Sequence, residues 1–173
     1  MTRRAVPDQV DVSDGVVTLR RWAAADIPAL TAIWQDPELL RRFGVEPPIT
    51  DESSARFVAG NELQWRAGTE LALALVVDQQ VVGGCELDRA DSAQPDLGYW
   101  LAPGARGRGY ATCAATLMLE WAGATLGVTR FSAEIEPDNT ASIAVARRLG
   151  FELLPGVERT DGDRSLKVYE LSR

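Results

Sequence analysis

Pro103-Gly104-Ala105-Arg106-Gly107-Arg108-Gly109-Tyr110-Ala111-Thr112 joins an apolar stretch, Asp96 to Leu101, to a long segment rich in Ala and Leu that begins at Gly109. The first segment reads as a strand and the second as a helix running to Leu126, so the decapeptide is a strand-to-helix turn. Turns of this kind gather backbone N–H groups at the positive end of a helix dipole, an arrangement that holds anions. Gly107 and Gly109 let the main chain approach an anion closely, and Arg106 and Arg108 add positive charge. Two common phosphate loops do not fit. No Gly-Lys pair exists in the chain, which removes the GxxxxGK[ST] loop, and from Gly107 the third glycine of a dinucleotide fingerprint falls on Thr112.

Working outward, Arg130 to Glu136 reads as a further strand, and Asp138 to Leu149 as a helix stopped by Gly150. Phe151 to Glu158 and Ser165 to Leu171 are two closing strands around an Asp161-Gly162-Asp163 turn. On the amino side, Leu71 to Val77 and Val81 to Leu87 form a hairpin through Asp78-Gln79-Gln80. Before it come a strand at Val16 to Arg20 and three helices: one capped by Asp26, one from Asp36 to Phe43 ended by Gly44, and one opened by Thr50 or Asp51 and ended by Gly68. The order βααα-βββ-α-β-α-ββ describes an α/β (α+β) domain around one central sheet. Residues 1–14 read as a flexible tail and 15–173 as a single domain.

The composition narrows the chemistry. The chain has 173 residues, 46% of them apolar, which suits one core. A net charge of −7 argues against nucleic acid as an electrostatically held partner. There is no histidine, which excludes His-dependent triads, His-ligated zinc and His general bases. Cys85 and Cys113 sit in apolar runs and read as free, buried thiols. No segment approaches the roughly 18 apolar residues of a membrane span, and no signal peptide is visible, so the expected compartment is the cytoplasm. No metal and no membrane partner is expected, and a monomer or a homodimer suits the chain equally.

Further motifs carry a resemblance. Arg106-x-x-Gly109-x-Ala111 fits [QR]-x-x-G-x-[GA], and Asn139-Thr140-Ala141-Ser142 followed by Leu149-Gly150-Phe151 fits an N-x-x-[AS] … L-G-F helix about 30 residues on. Leu97-Gly98-Tyr99-Trp100-Leu101 resembles a "GYWL" strand. Over residues 14 to 173 the chain resembles the GCN5-related N-acetyltransferases, and within them the ribosomal-protein branch. The resemblance implies a single mixed, mostly antiparallel sheet flanked by helices, and acetyl-CoA as co-substrate. It implies acetyl transfer to a primary amine, a protein N-terminus or a small amine, by direct attack in a ternary complex. It places an oxyanion donor on the backbone near Leu101, where a bulged strand splays from its neighbour. The pyrophosphate falls on Arg106, Gly107, Arg108, Gly109, Tyr110 and Ala111, with Asn139 as a further cofactor contact.

Acyl transfer to an amine needs a base for the amine proton and a donor for the leaving thiolate. Many family members carry a Tyr acid five residues before the Phe of L-G-F; here that position is Ala146. In the ribosomal-protein branch the acid corresponds to Ser142, and a Glu before a hairpin Gly corresponds to Glu158, the first choice as base. Glu86, Glu134 and Asp96 are its rivals. Trp34, Phe43 and Trp65 fall in the helical first third that walls the acceptor cleft in this family. Three alternatives stay open: a CoA-binding module without catalysis, a transferase using another acyl-CoA such as succinyl-CoA, and a nucleotide-binding regulator.

Overall fold

Apolar runs bounded by glycine and short polar turns become eight strands and five helices in the computed structural model, which describes residues 6–173. The strands are β1 (Asp11–Ser13), β2 (Val17–Arg21), β3 (Leu71–Val77), β4 (Gln80–Asp88), β5 (Asp96–Leu101), β6 (Arg130–Ile135), β7 (Glu152–Asp161) and β8 (Arg164–Ser172). The helices are α1 (Ile27–Ile33), α2 (Pro37–Phe43), α3 (Asp51–Ala67), α4 (Tyr110–Leu126) and α5 (Thr140–Arg148). One sheet contains every strand, in the order β1-β2-β3-β4-β5-β6-β8-β7, and only the β5/β6 pair is parallel. This matches the mixed, mostly antiparallel sheet implied by the family resemblance.

The expected boundaries hold to within a residue or two over most of the chain. Asp36 accepts from the Glu38 N–H as the cap of α2, and Gly44 takes the left-handed conformation that ends it. The β3–β4 turn uses Asp78 and Gln79, both at positive φ, as a two-residue hairpin requires. One expectation is corrected. Asp11–Ser13, assigned to a tail, pairs antiparallel with Thr18–Arg20, and Val10 is buried beside it. Short polar edge strands carry too little apolar periodicity to be read locally. Residues 1–5 of the expected tail lie outside the described residues.

The two faces of the sheet bury different clusters. On one, Leu73, Leu75, Cys85, Leu87, Leu97, Leu101 and Phe131 pack under Ala115, Met118, Leu119 and Ala122 of α4. On the other, Trp100 packs with Leu30 of α1, Trp34 and Leu39 of α2, joined by Trp22, Phe43 and Phe57. Strand alternation explains the split, since Trp100 and Leu101 are neighbours on opposite faces. Trp65, placed by the sequence reading in the helical wall, instead stacks on Trp121 in the main core and donates its N–H to the Pro7 carbonyl. α3 is long enough for Phe57 and Trp65, about two turns apart, to serve different clusters.

Candidate active site

β5 and β6 hold parallel register at a single pair, Asp96 with Ser132, anchored by a 2.8 Å hydrogen bond from the Ser132 hydroxyl to Asp96. Beyond it the strands diverge, and their carboxyl ends open a cleft in the middle of the sheet. β5 itself keeps regular register with β4 up to Gly83 opposite Leu101; the irregularity on that side of the sheet lies between β3 and β4, at Leu75/Val76. The splay expected near Leu101 is therefore a loss of β6 pairing, with no bulge in β5.

The turn from β5 to α4 lies at this opening. Gly107 and Gly109 adopt φ of 74° and 84°, a region that L side chains rarely enter, and the space a Cβ would take is empty at both. Gly109 stands at the cap position of α4 without a side-chain acceptor for the first turn. Consequently the N–H groups from Gly107 through Thr112 meet no acceptor among the described residues. Six consecutive donors at the start of a 17-residue helix, with no carboxylate in the first turn, fit a pyrophosphate.

Arg106 behaves differently from the sequence expectation that it lends charge to the anion. Its Nε donates to the Leu101 carbonyl at 3.2 Å, its Nη1 to Glu38 at 2.7 Å and its Nη2 to Asp36. The guanidinium is committed to α2, whereas Arg108 is exposed at the turn. Tyr110 and Ala111 contribute the first two N–H groups of α4.

On the far side of the opening, Asn139 caps α5, its Oδ1 accepting from the Ser142 N–H at 3.1 Å. The Ser142 carbonyl accepts from the Tyr99 hydroxyl across the cleft at 3.5 Å, and burial pushes that phenol up to about 12. Tyr99 and Ser142 thus face each other from β5 and α5 where the sheet is split. Ala146 is buried in the main core, so α5 offers no acid at that position.

The four candidate carboxylates separate clearly. Glu158 stands exposed on β7, with β8 and β6 between it and β5, and it pairs with Lys167, which holds its carboxyl below the usual range. Glu134 is bonded to Arg89 at 2.8 Å. Asp96 is buried, with a carboxyl raised to about 6 chiefly by burial. Glu86 is half-buried on the Trp100 face, directly opposite Gly98 in the β4/β5 register, and has no ion-pair partner among the described residues. Burial first, and then Asp88, Glu70 and Asp96, push its carboxyl up to about 8. The absence of a side chain at Gly98 lets Glu86 lean over β5 toward the opening. A Gly opposite a Glu becomes visible only once the strand register is known.

Among the described residues no group of acidic or Cys side chains is arranged to hold a metal, and no helix is long and apolar enough to cross a membrane. Cys85 is buried as expected, whereas Cys113 is only partly buried, its thiol facing Asp14; the two form no disulfide.

Known proteins share this fold. Residues 17–152 match the acetyltransferase (GNAT) domain. The uncharacterized N-acetyltransferase p20 of Bacillus licheniformis is 30% identical over 165 residues, covering 90% of this chain and 91% of that protein. An acetyltransferase from Agrobacterium tumefaciens superimposes with a TM-score of 0.75 at 28% identity, covering 95% of both chains. The ribosomal L7/L12 alpha-N-protein acetyltransferase RimL, in complex with coenzyme A, shares the fold with a TM-score of 0.80 at 21% identity, over 95% of this chain and 98% of that one. With a domain match over most of its length and a relative aligned almost end to end, the chain belongs to the acetyltransferase (GNAT) family and is an acetyltransferase.

Proposed function

We propose that this enzyme transfers the acetyl group of acetyl-CoA to a primary amine, a protein N-terminus or a small amine, by direct attack in a ternary complex. The observation that carries the reading is the run of unpaired N–H groups from Gly107 to Thr112 beside the β5/β6 opening. Acetyl-CoA, when bound, supplies a thioester whose carbonyl carbon is the electrophile. The backbone of the turn and Asn139 hold the donor; the backbone around Leu101 is positioned for the oxyanion.

Glu86 is the base in this reading, in place of Glu158. It lies on the face walled by Trp34, Leu39 and Trp100, and it is free of a cation that would hold it ionised. A carboxyl raised to about 8 is, once ionised, a stronger base than an ordinary glutamate, which suits it to take the amine proton as the pH approaches that value. The amine nitrogen bonds to the carbonyl carbon, its proton passes to Glu86 directly or through one water, and the carbon–sulfur bond breaks. The Ser142 hydroxyl, across from Tyr99, donates toward the departing thiolate. Fold likeness to a ribosomal-protein N-terminal acetyltransferase supports a peptide N-terminus as one acceptor class.

A screen of amines and N-terminal peptides, following CoA thiol release from acetyl-CoA, tests the reading. Turnover with at least one primary amine, abolished by N-methylation of that amine to the quaternary form, is the expected result. Tight CoA binding without turnover on any acceptor would favour the non-catalytic alternative instead.

A further inference from the structure

α2 is tied at both ends to the two loops that flank the cofactor opening. At its start, Asp36 and Glu38 pair with Arg106 of the β5–α4 turn. At its end, Arg41 and Arg42 reach Glu136, in the loop after β6, at 2.9 and 3.2 Å, and Arg42 also reaches Asp138 at 3.2 Å. Glu38 and Arg42, bonded to each other at 3.1 Å, link the two sets along the helix. β5 and β6 are the strands that diverge, so α2 bridges the carboxyl ends of the split pair. Its seven residues span about 10 Å, roughly twice the spacing of hydrogen-bonded strands.

We propose that Arg106 and Glu136 are positioning residues that latch α2 across this opening, so that the cofactor loops themselves fix the wall against which the amine acceptor binds. The proposal rests on the reading of the Trp100 face as the acceptor side. Two of the latching carboxylates, Asp36 and Glu136, have side chains only 12% and 11% exposed, so these pairs are held in one geometry where open surface pairs would average out. Three directions of the Arg106 guanidinium are taken by Leu101, Asp36 and Glu38, which makes this arginine a bracket between β5 and α2. Glu136 is likewise shared among Arg41, Arg42 and, at 3.5 Å, Arg164 at the start of β8. The inner face of α2 carries Leu39, buried with Trp34 and Trp100, so a shift of the helix moves the apolar wall with it.

The test uses two variants of the full chain, Glu136→Gln and the double variant Asp36→Asn with Glu38→Gln; asparagine keeps the α2 cap. Hydrogen exchange of residues 38–43 without any ligand should be at least about fivefold faster in both, with α4 and α5 unchanged. Steady-state kinetics should show KM for the amine raised about fivefold or more while KM for acetyl-CoA stays within about twofold. Wild-type exchange rates in α2 in both variants would overturn the latch, as would a rise in KM for acetyl-CoA with the amine KM unchanged. The exchange measurement needs no turnover, so it judges the latch even if no amine is acetylated. A failure of the wild-type enzyme to acetylate counts against the proposed function alone.

Discussion

A Cβ placed on Gly98 would stand 2.7 Å from Glu86 Oε1, so the Glu86 carboxylate occupies the space directly over Gly98. That relationship joins the proposed base on β4 to the strand whose far edge borders the β5/β6 opening. Gly98→Ala therefore pushes Glu86 aside while leaving the β4/β5 ladder intact. The expected outcome is a fall in kcat/KM of about tenfold or more. Thermal unfolding should change little, and acetyl-CoA affinity by titration should be preserved; a fully active Gly98→Ala enzyme would show that the carboxylate position is immaterial.

Glu86 should impose the pH dependence. Its carboxyl titrates at about 8, so the ionised base, and with it kcat/KM, should rise as the pH is raised through that value. Glu86→Gln should lower kcat/KM by about tenfold or more and remove this inflection. Glu158→Gln should lower it less, because Glu158 is exposed and held by Lys167. A pH profile for Glu86→Gln identical to that of wild type would return the base assignment to Glu158 or to water.

The same group should cost stability at alkaline pH. In the unfolded chain a Glu ionises near its ordinary value of 4.5, but in the folded chain Glu86 holds its proton to about 8. Between those values the native state binds the extra proton, so stability falls as the pH rises from one to the other. Above pH 8 the full penalty is present, on the order of a few kcal/mol, and below pH 4.5 it is absent. Glu86→Gln should accordingly raise Tm at pH 9 and leave it nearly unchanged at pH 4. Equal Tm differences at both pH values would contradict a buried, raised carboxyl.

Loss of a single turn N–H should weaken the cofactor. Ala111 is the second residue of α4, the place Pro28 already holds in α1, so Ala111→Pro removes a donor at a position that tolerates proline. KM for acetyl-CoA, and Kd for CoA by calorimetry, should rise about tenfold, which corresponds to roughly 1.4 kcal/mol. Ala111→Ser, which keeps the N–H, should bind within about twofold of wild type. Unaltered CoA affinity in Ala111→Pro would remove the helix start from the binding site.

Leaving-group assistance is testable at α5. Ser142→Ala keeps the Asn139 cap, because the cap bond uses the Ser142 backbone N–H. It should lower kcat by about tenfold with KM values little changed, the pattern of an interaction made in the transition state. An unchanged kcat would transfer that role to Tyr99, whose hydroxyl faces α5 across the cleft.

Local sequence carries most of the element order because most helices and strands are announced by their own residues. Asp36 and Gly44 bracket α2, Thr50 and Gly68 bracket α3, and Gly109 opens α4, each through a backbone conformation or a cap that acts within a few positions. The cofactor turn is legible for the same reason, since its chemistry is the backbone of consecutive residues. Edge strand β1 is not legible locally because its strand character comes from pairing with β2. The place of Trp65 is not legible either, because periodicity puts it on a helix without saying which cluster receives it.

By itself the sequence determined most of the succession of elements, the glycine-rich turn between β5 and α4 and the absence of histidine, which leaves proton transfer to a carboxylate or water. Which carboxylate stands free, and what Arg106 does, belong to the tertiary structure. Glu86 and Gly98 are 12 positions apart and meet through strand register, and Arg106 and Asp36 are 70 apart and meet only when α2 spans the opening between β5 and β6. Residues so separated come together through the packing of the whole sheet and its helices, and no local pattern records that contact.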